Sequence, residues 1–412
     1  MRKSLPKNGQ KWEALNAMLT EMTAGDADWR RGRVPRSVNY ATESVYNVSK
    51  KAFVKFLMQH SSAFIYPGIA RMEKEVVEMA LSLFHAPEDG CGNMTTGGSE
   101  SILMAMKACR DFNRANRRRG VKPNIVVPYS AHAAFNKAAM VMDIEVRRVP
   151  LGNDFRADWE AMAATVDDRT MMIVGSVPTY PHGVVDTIPD LSRLAIDMDL
   201  WLHVDACGGG YIAPFAKQLG QPIPDFDFSL PGVRSISADL HKFGYCPKPA
   251  STVLYRNADD YSYQQFEFDE WPTGPFITPN LTNTRPGGAV AAAWAVMHHL
   301  GEEGYLEITK RLLNSVRAYK EGINAIDGLK VWGEPDLSIF TFGSDEMDIF
   351  AVAERLTAKG WLVGLNREPR GIHFTMSMIH QPVREEYLAD LAVAVADVKA
   401  GHGESKNMTA FY

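Results

Sequence analysis

Between residues 90 and 256, short β-rich runs alternate with segments of helical periodicity, and this alternation limits the fold more than any other feature of the chain. The runs are Asn124 to Pro128, Met171 to Val177, Trp201 to Ala206, Ser235 to Asp239 and Thr252 to Tyr255. Strands separated in this way predict an α/β fold. The sheet should be mostly parallel, covered by helices, with ligand groups gathered at the strand ends. With 412 residues, 46% of them hydrophobic, the chain can bury a large core, and its length predicts one large and one smaller domain.

The strand ends carry chemistry. Asp205 closes the run Trp201-Leu202-His203-Val204-Asp205, and Lys242 follows the next run in Ser237-Ala238-Asp239-Leu240-His241-Lys242-Phe243-Gly244-Tyr245. A lysine there can form a Schiff base with an aldehyde, and a carboxylate on the neighbouring strand can keep a pyridine nitrogen protonated. Taken singly, a lysine is usually solvated and a strand-end aspartate is usually a cap. Two further elements favour the chemical reading. Met94-Thr95-Thr96-Gly97-Gly98-Ser99-Glu100-Ser101 leads into the helically spaced Ile102, Leu103, Met106, Cys109 and Phe112. Its glycines allow close backbone approach, Ser99 can cap the helix, and the helix N-terminus can cradle a phosphate. His132, in Tyr129-Ser130-Ala131-His132 after a strand run, can lie flat on a cofactor ring. Together the four elements predict dependence on pyridoxal 5'-phosphate, with a phosphate cup, a ring stack, a nitrogen clamp and an anchoring lysine.

With these residues in place, the sequence resembles the fold-type I pyridoxal phosphate family in its decarboxylase branch, and within it the sphingosine-1-phosphate lyases most closely. The likeness is carried by Met94 to Lys107, Ser130 to Ala138, His203 to Gly209, Ser235 to Lys248, Thr284 to Gly288 and Leu356-Thr357-Ala358-Lys359-Gly360-Trp361, and it covers roughly residues 60 to 395. The resemblance implies that Gly98, Ser99, His132, Asp205, Cys207, His241, Lys242, Thr284 and Gly288 surround the cofactor. It also implies cleavage of a phosphorylated sphingoid base to a long-chain aldehyde and phosphoethanolamine. An N-terminal helical arm is expected over residues 1–60, a large cofactor-binding domain over 61–290 and a small α+β domain over 291–412. Thr284, Arg285, Gly287 and Gly288 resemble a loop that reaches the neighbouring subunit's cofactor phosphate, so a homodimer with a shared active site is expected.

Substrate residues are less regular. By resemblance Tyr180 is a candidate base, and Tyr40 or Tyr46 would replace a family tyrosine of the N-terminal arm. Lys248 falls on a family lysine that reaches the substrate phosphate, and Thr284 falls on a serine of the partner-facing loop. Phe276 departs from the pattern, standing where the family has a phosphate-binding tyrosine, and Pro249 replaces a glycine. Arg370 is an unexpected guanidinium that could compensate. It could equally hold the carboxylate of an amino acid, and an amino acid decarboxylase is the alternative enzyme. A non-catalytic scaffold would not need both Lys242 and Asp205.

Other features exclude partners. The net charge is −5, and the basic cluster Arg117-Arg118-Arg119 closes a helix beside Gly120, where it complements the helix dipole; no nucleic-acid partner is indicated. The four cysteines Cys91, Cys109, Cys207 and Cys246 have neither zinc nor disulfide spacing, which predicts a reducing, cytoplasmic setting and no metal. His298 and His299 point to different sides of a helix and cannot close on one ion. No apolar run approaches the ~20 residues needed to span a bilayer. The expectation is a soluble form, similar to the family's bacterial members.

Overall fold

Seven strands build the central sheet: β1 (Cys91–Thr95), β2 (Asn124–Pro128), β3 (Glu145–Val149), β4 (Thr170–Ser176), β5 (Trp201–Asp205), β6 (Val233–Ala238) and β7 (Ser251–Tyr255). Side by side they run β1-β7-β6-β5-β4-β2-β3. The computed structural model describes residues 2–117, 122–401 and 410, so Arg118, Arg119 and Gly120 of the basic helix end lie outside the described residues. β2, β4, β5 and β7 are buried along their whole length, as expected for strands covered on both faces. Alternate residues divide between two cores: Ile125, Val127, Met172 and Val174 belong to one, and Val126, Ile173, Leu202 and Val204 to the other.

The sheet differs from the sequence expectation in two respects. β1 and β3 are additional strands. β1 contains glycine and asparagine, and β3 is a half-buried, charged edge strand, so neither reads as an apolar run. β7 is antiparallel to β6 and β1, while the remaining strands share one direction. A parallel return needs a crossover, usually helical, but residues 239–250 form turns around Lys242 and bring the chain straight back.

The helices are α1 (Trp12–Met22), α2 (Glu43–Lys55), α3 (Pro67–Leu83), α4 (Gly98–Arg117), α5 (Ala134–Met142), α6 (Trp159–Thr165), α7 (Ile188–Asp197), α8 (Ala213–Gln218), α9 (Ala258–Ser262), α10 (Gly287–Asn324), α11 (Ile349–Ala358) and α12 (Arg384–Lys399). A hairpin of β8 (Phe266–Phe268) and β9 (Phe276–Thr278) precedes α10. α10 kinks at Gly301, where φ is 54°. His298 packs on Trp294, and His299 hydrogen-bonds Ser44 at 2.9 Å. Beyond α10, β10 (Lys330–Val331), β11 (Ile339–Gly343), β12 (Gly364–Arg367) and β13 (Arg370–Thr375) form an antiparallel sheet in the order β10-β11-β13-β12, and α11 and α12 pack with it.

The N-terminal arm is helical only in part. Residues 33–42 form no helix and run across the C-terminal sheet, held by main-chain hydrogen bonds. Leu362 N–H donates to Arg33 O at 2.9 Å, Thr375 N–H to Pro35 O at 2.9 Å and Met378 N–H to Tyr40 O at 3.1 Å. This segment delivers residues 36–40 to the C-terminal ends of the central strands.

Candidate active site

The parallel strands of the central sheet end at a common edge, and the sequence-predicted cofactor residues follow them: Gly97-Gly98 after β1, His132 after β2, Asp205 at the end of β5 and Lys242 after β6. Thr96, Gly98, Ser99, His132, Asp205, Cys207, His241 and Lys242 line one cavity of about 300 Å3.

Its base is the start of α4. Ser99 does not cap this helix; it is exposed in the first turn, and Glu100 reaches back to accept from Thr96 N–H at 2.7 Å. The Ser99 hydroxyl therefore stays available to a ligand. A Cβ at Gly98 would lie 2.7 Å from Cys207 Sγ and 3.0 Å from Asp239 Oδ1, so only glycine lets the start of α4 approach these side chains so closely. The donor-rich floor at the N-terminus of a twenty-residue helix suits a phosphate.

Above it, His132 Nδ1 accepts from Ala134 N–H at 3.1 Å. Burial lowers the pKa of this imidazole more than the Asp205 carboxylate raises it, which favours the neutral ring. Asp205 Oδ1 accepts from Cys207 N–H at 3.1 Å and from Ser237 Oγ at 3.3 Å. Ser237 in turn contacts His203, which is pushed down to about 4 by burial. These fixed donors hold the Asp205 carboxylate in place, and a pyridinium nitrogen is the partner its chemistry suits. Burial raises the Cys207 thiol far above its usual range, making this side chain a neutral wall.

Lys242 Nζ pairs with Asp239 Oδ2 at 2.9 Å. Sequence reasoning missed Asp239, although its position three residues before the lysine was a usable signal. The residues fit pyridoxal phosphate: a helix N-terminus with an exposed serine, an imidazole, a buried carboxylate and a half-buried amine share one cavity.

A second cavity of about 200 Å3 brings Lys242 together with Tyr180, His241, Lys248, Asn39 and Thr375. The Tyr180 ring packs on His373 at 4.5 Å, and its carbonyl is bonded to His373 Nε2 at 2.8 Å. Lys248 is exposed, and its Nζ is 3.5 Å from Ser37 O. Tyr40 and Tyr46 line a larger apolar cavity of about 590 Å3 that shares His241 and Lys248. There the Tyr40 hydroxyl donates to Glu43 at 3.1 Å, and Tyr46 lies under the Arg30 guanidinium. Tyr180 also faces a third cavity of about 550 Å3, with Arg36, Arg148 and Arg367 in its wall. Arg36 had no motif to announce it.

Besides Tyr40 and Tyr46, whose cavity does not include Lys242, four expected residues are not brought to Lys242 within the chain. Arg370 is exposed, pairs with Asp348 at 2.8 Å and lies over the Phe350 ring, so its own carboxylate partner occupies the guanidinium. Phe276 sits in the β8–β9 hairpin against Phe266 and Trp271. Thr284 is exposed, and Gly288 packs under α2, where a Cβ would meet Phe53 O at 2.6 Å.

Comparison with known proteins agrees with this geometry. Residues 58–343 match the pyridoxal-dependent decarboxylase conserved domain. The chain is 39% identical to the sphingosine-1-phosphate lyase of Oryza sativa subsp. japonica over 415 positions, covering 98% of this chain and 76% of that protein. It is 33% identical to an L-aspartate/L-glutamate decarboxylase of Pyrococcus horikoshii, covering 94% and 98% of the two chains. The solved sphingosine-1-phosphate lyase of Burkholderia pseudomallei superimposes with a TM-score of 0.93 at 35% identity, covering 97% of this chain and 94% of that one. The chain belongs to the pyridoxal-dependent decarboxylase family, in the branch of the sphingosine-1-phosphate lyases.

Proposed function

We propose that this chain is a pyridoxal phosphate-dependent aldehyde-lyase that cleaves a phosphorylated sphingoid base of the sphingosine 1-phosphate type into a long-chain aldehyde and phosphoethanolamine. The carrying observation is the near full-length likeness to sphingosine-1-phosphate lyases, combined with a cavity that places Tyr180 and Lys248 beside Lys242. The apolar cavity that shares Lys248 and His241 suits an alkyl chain next to a charged head.

In this reading Lys242 would carry the cofactor, the α4 N-terminus with Gly98 and Ser99 would hold its phosphate, and His132 would cover the ring. Asp205 would hold the ring nitrogen in its protonated form. The bound cofactor supplies the sink for the electron pair released at the amine-bearing carbon. Tyr180 takes the proton of the neighbouring hydroxyl as the carbon–carbon bond opens, and Lys248 holds the phosphate. Lys242, whose amine stands beside Tyr180 in the same cavity, would be placed to receive that proton and return it to the amine-bearing carbon.

The unit of function we infer is a homodimer. α1 has no buried residue and exposes Trp12, Leu15, Met18, Leu19 and Met22 along one side, and Phe64, Ile65, Phe266, Trp271 and Ile277 are exposed as well. Such apolar area suits a second copy of the chain. Thr284 and the hairpin with Phe276 then serve the neighbouring site. Residues 1–60, 61–290 and 291–412 act in this proposal as arm, cofactor domain and small domain. All four cysteines are free, which suits a cytoplasmic enzyme. Among the described residues no helix is long and apolar enough to cross a membrane.

The 33% identity to an L-aspartate/L-glutamate decarboxylase favours a second reading, amino acid decarboxylation, with Arg36 available for a carboxylate. Assaying sphingosine 1-phosphate, unphosphorylated sphingosine and acidic amino acids side by side separates the two. Aldehyde release from the phosphorylated base is expected, and carbon dioxide release from an amino acid alone would overturn the lyase. Borohydride reduction followed by mass spectrometry should find the pyridoxyl group on Lys242.

A further inference from the structure

The residues lining the 200 Å3 cavity beside Lys242 include no carboxylate, and two of them, Asn39 and Thr375, each carry a buried donor atom without a hydrogen-bond partner, Nδ2 and Oγ1 respectively. Thr375 is only 7% exposed. Buried polar groups are nearly always satisfied, because leaving one unpaired forfeits its hydration, so two in one cavity call for an acceptor from outside the chain. Their placement is not loose. Thr375 ends β13, and its own N–H is tied to Pro35 O, which joins the two segments that carry these donors.

Lys248 adds a cation to the same wall. The nearest carboxylate, Asp239, lies behind the wall and is paired with Lys242 and His241, so a ligand that takes up both donors beside the Lys248 ammonium should be rich in acceptors and negatively charged. A phosphate monoester meets that description better than a hydroxyl or an amine, since it carries close to two charges at neutral pH and three acceptor oxygens. We propose that Asn39 and Thr375, together with Lys248, form the cradle for the substrate's phosphate, with Asn39 supplied by the N-terminal segment of the same chain. This assignment rests on the phosphosphingoid reading above and adds two specificity-determining residues to it. It also offers a reason why Phe276 can lack a hydroxyl: donors from a different part of the chain take up the anion.

The test uses the holoenzyme, whose cofactor cup is already filled, with Thr375→Val and Asn39→Asp. Thr375→Val keeps the shape and removes a hydroxyl that bonds nothing in the protein, so a structural role predicts no effect. Asn39→Asp replaces a donor with a repelling charge. Each change should raise KM for sphingosine 1-phosphate about tenfold or more, as expected for one hydrogen bond to a charged oxygen, and should leave cofactor absorbance and Tm unchanged. Thr375→Ser should retain wild-type KM and serves as the folding control. Inorganic phosphate titrated calorimetrically into the holoenzyme should bind more weakly to both variants. That measurement needs no turnover, so the cradle stands if phosphate binding is lost even where wild type fails to cleave the lipid and the lyase reading falls. Wild-type phosphate affinity in both folded variants overturns the cradle.

Discussion

Lys242 Nζ lies 2.9 Å from Asp239 Oδ2, and the same carboxylate stands 3.6 Å from His241 Nε2. Burial works to lower the pKa of Lys242, but the Asp239 carboxylate overrides it and holds the amine protonated beyond its ordinary range. Asp239 itself is pushed up by burial and pulled lower still by Lys242 and His241. The pair therefore stores the lysine as a cation until an aldehyde arrives.

Only the neutral amine attacks an aldehyde, so capture of pyridoxal phosphate by the apoenzyme should quicken as pH rises. Asp239→Asn removes the carboxylate that raises the lysine while leaving the burial that lowers it. The pH profile of capture, followed by stopped-flow absorbance, should move to lower pH in this variant. An unmoved profile would show that Asp239 does not control the protonation of Lys242.

Asp205→Asn is expected to damage catalysis far more than folding. The change keeps the volume, and Cys207 N–H and Ser237 Oγ can still donate to the remaining carbonyl oxygen. An amide cannot hold a pyridinium proton by charge, so kcat should fall about 100-fold or more while Tm stays close to wild type. Near wild-type turnover would remove Asp205 from the ring-nitrogen role.

Three buried histidines should make the fold acid-sensitive. Burial lowers His203, His373 and His380 to about 4, and each is hydrogen-bonded in its neutral form, to serines, to Tyr180 O and to Val34 O respectively. At pH above about 6.5 these histidines are neutral in both folded and unfolded chains and have no effect. As pH falls below that value, the unfolded chain gains protons that the folded chain refuses until about 4, so stability is lost across this window. Three protons correspond to a slope of about 4 kcal/mol per pH unit near its middle. Thermal unfolding across the window should show Tm falling steeply; a flat Tm would mean that the histidines are protonated in the folded protein.

The convergence of His132, Asp205 and Lys242 was legible because each follows a strand that periodicity alone reveals, whereas Thr284 and Gly288, expected beside them, lie elsewhere in the chain. His132, Asp205 and Lys242 needed only the order of the strands to converge. The substrate side was not legible, because it depends on contacts between segments far apart in the chain. Thr375 meets Asn39 only because β13 bonds Pro35, more than 300 residues away, and neither residue stands in a motif. Arg370 misled for the same reason: its partner Asp348 belongs to the cap of α11, invisible until the small sheet is folded. The direction of β7 was hidden too, since an apolar run carries no sign of which way it lies.

Shared active sites can be tested by complementation. Lys242→Ala should abolish turnover and the covalent link to the cofactor. Thr284 is exposed, so Thr284→Trp should fold while blocking the neighbouring subunit's site. When the two inactive chains are mixed, a heterodimer pairs the intact Lys242 of one chain with the intact Thr284 loop of the other, restoring one of its two sites. Random exchange makes about half of all dimers heterodimers, so about one quarter of wild-type activity should return. A chain acting alone, or a Thr284 loop serving its own Lys242, allows no such recovery. Verified heterodimers without activity would therefore rule out a site shared between subunits.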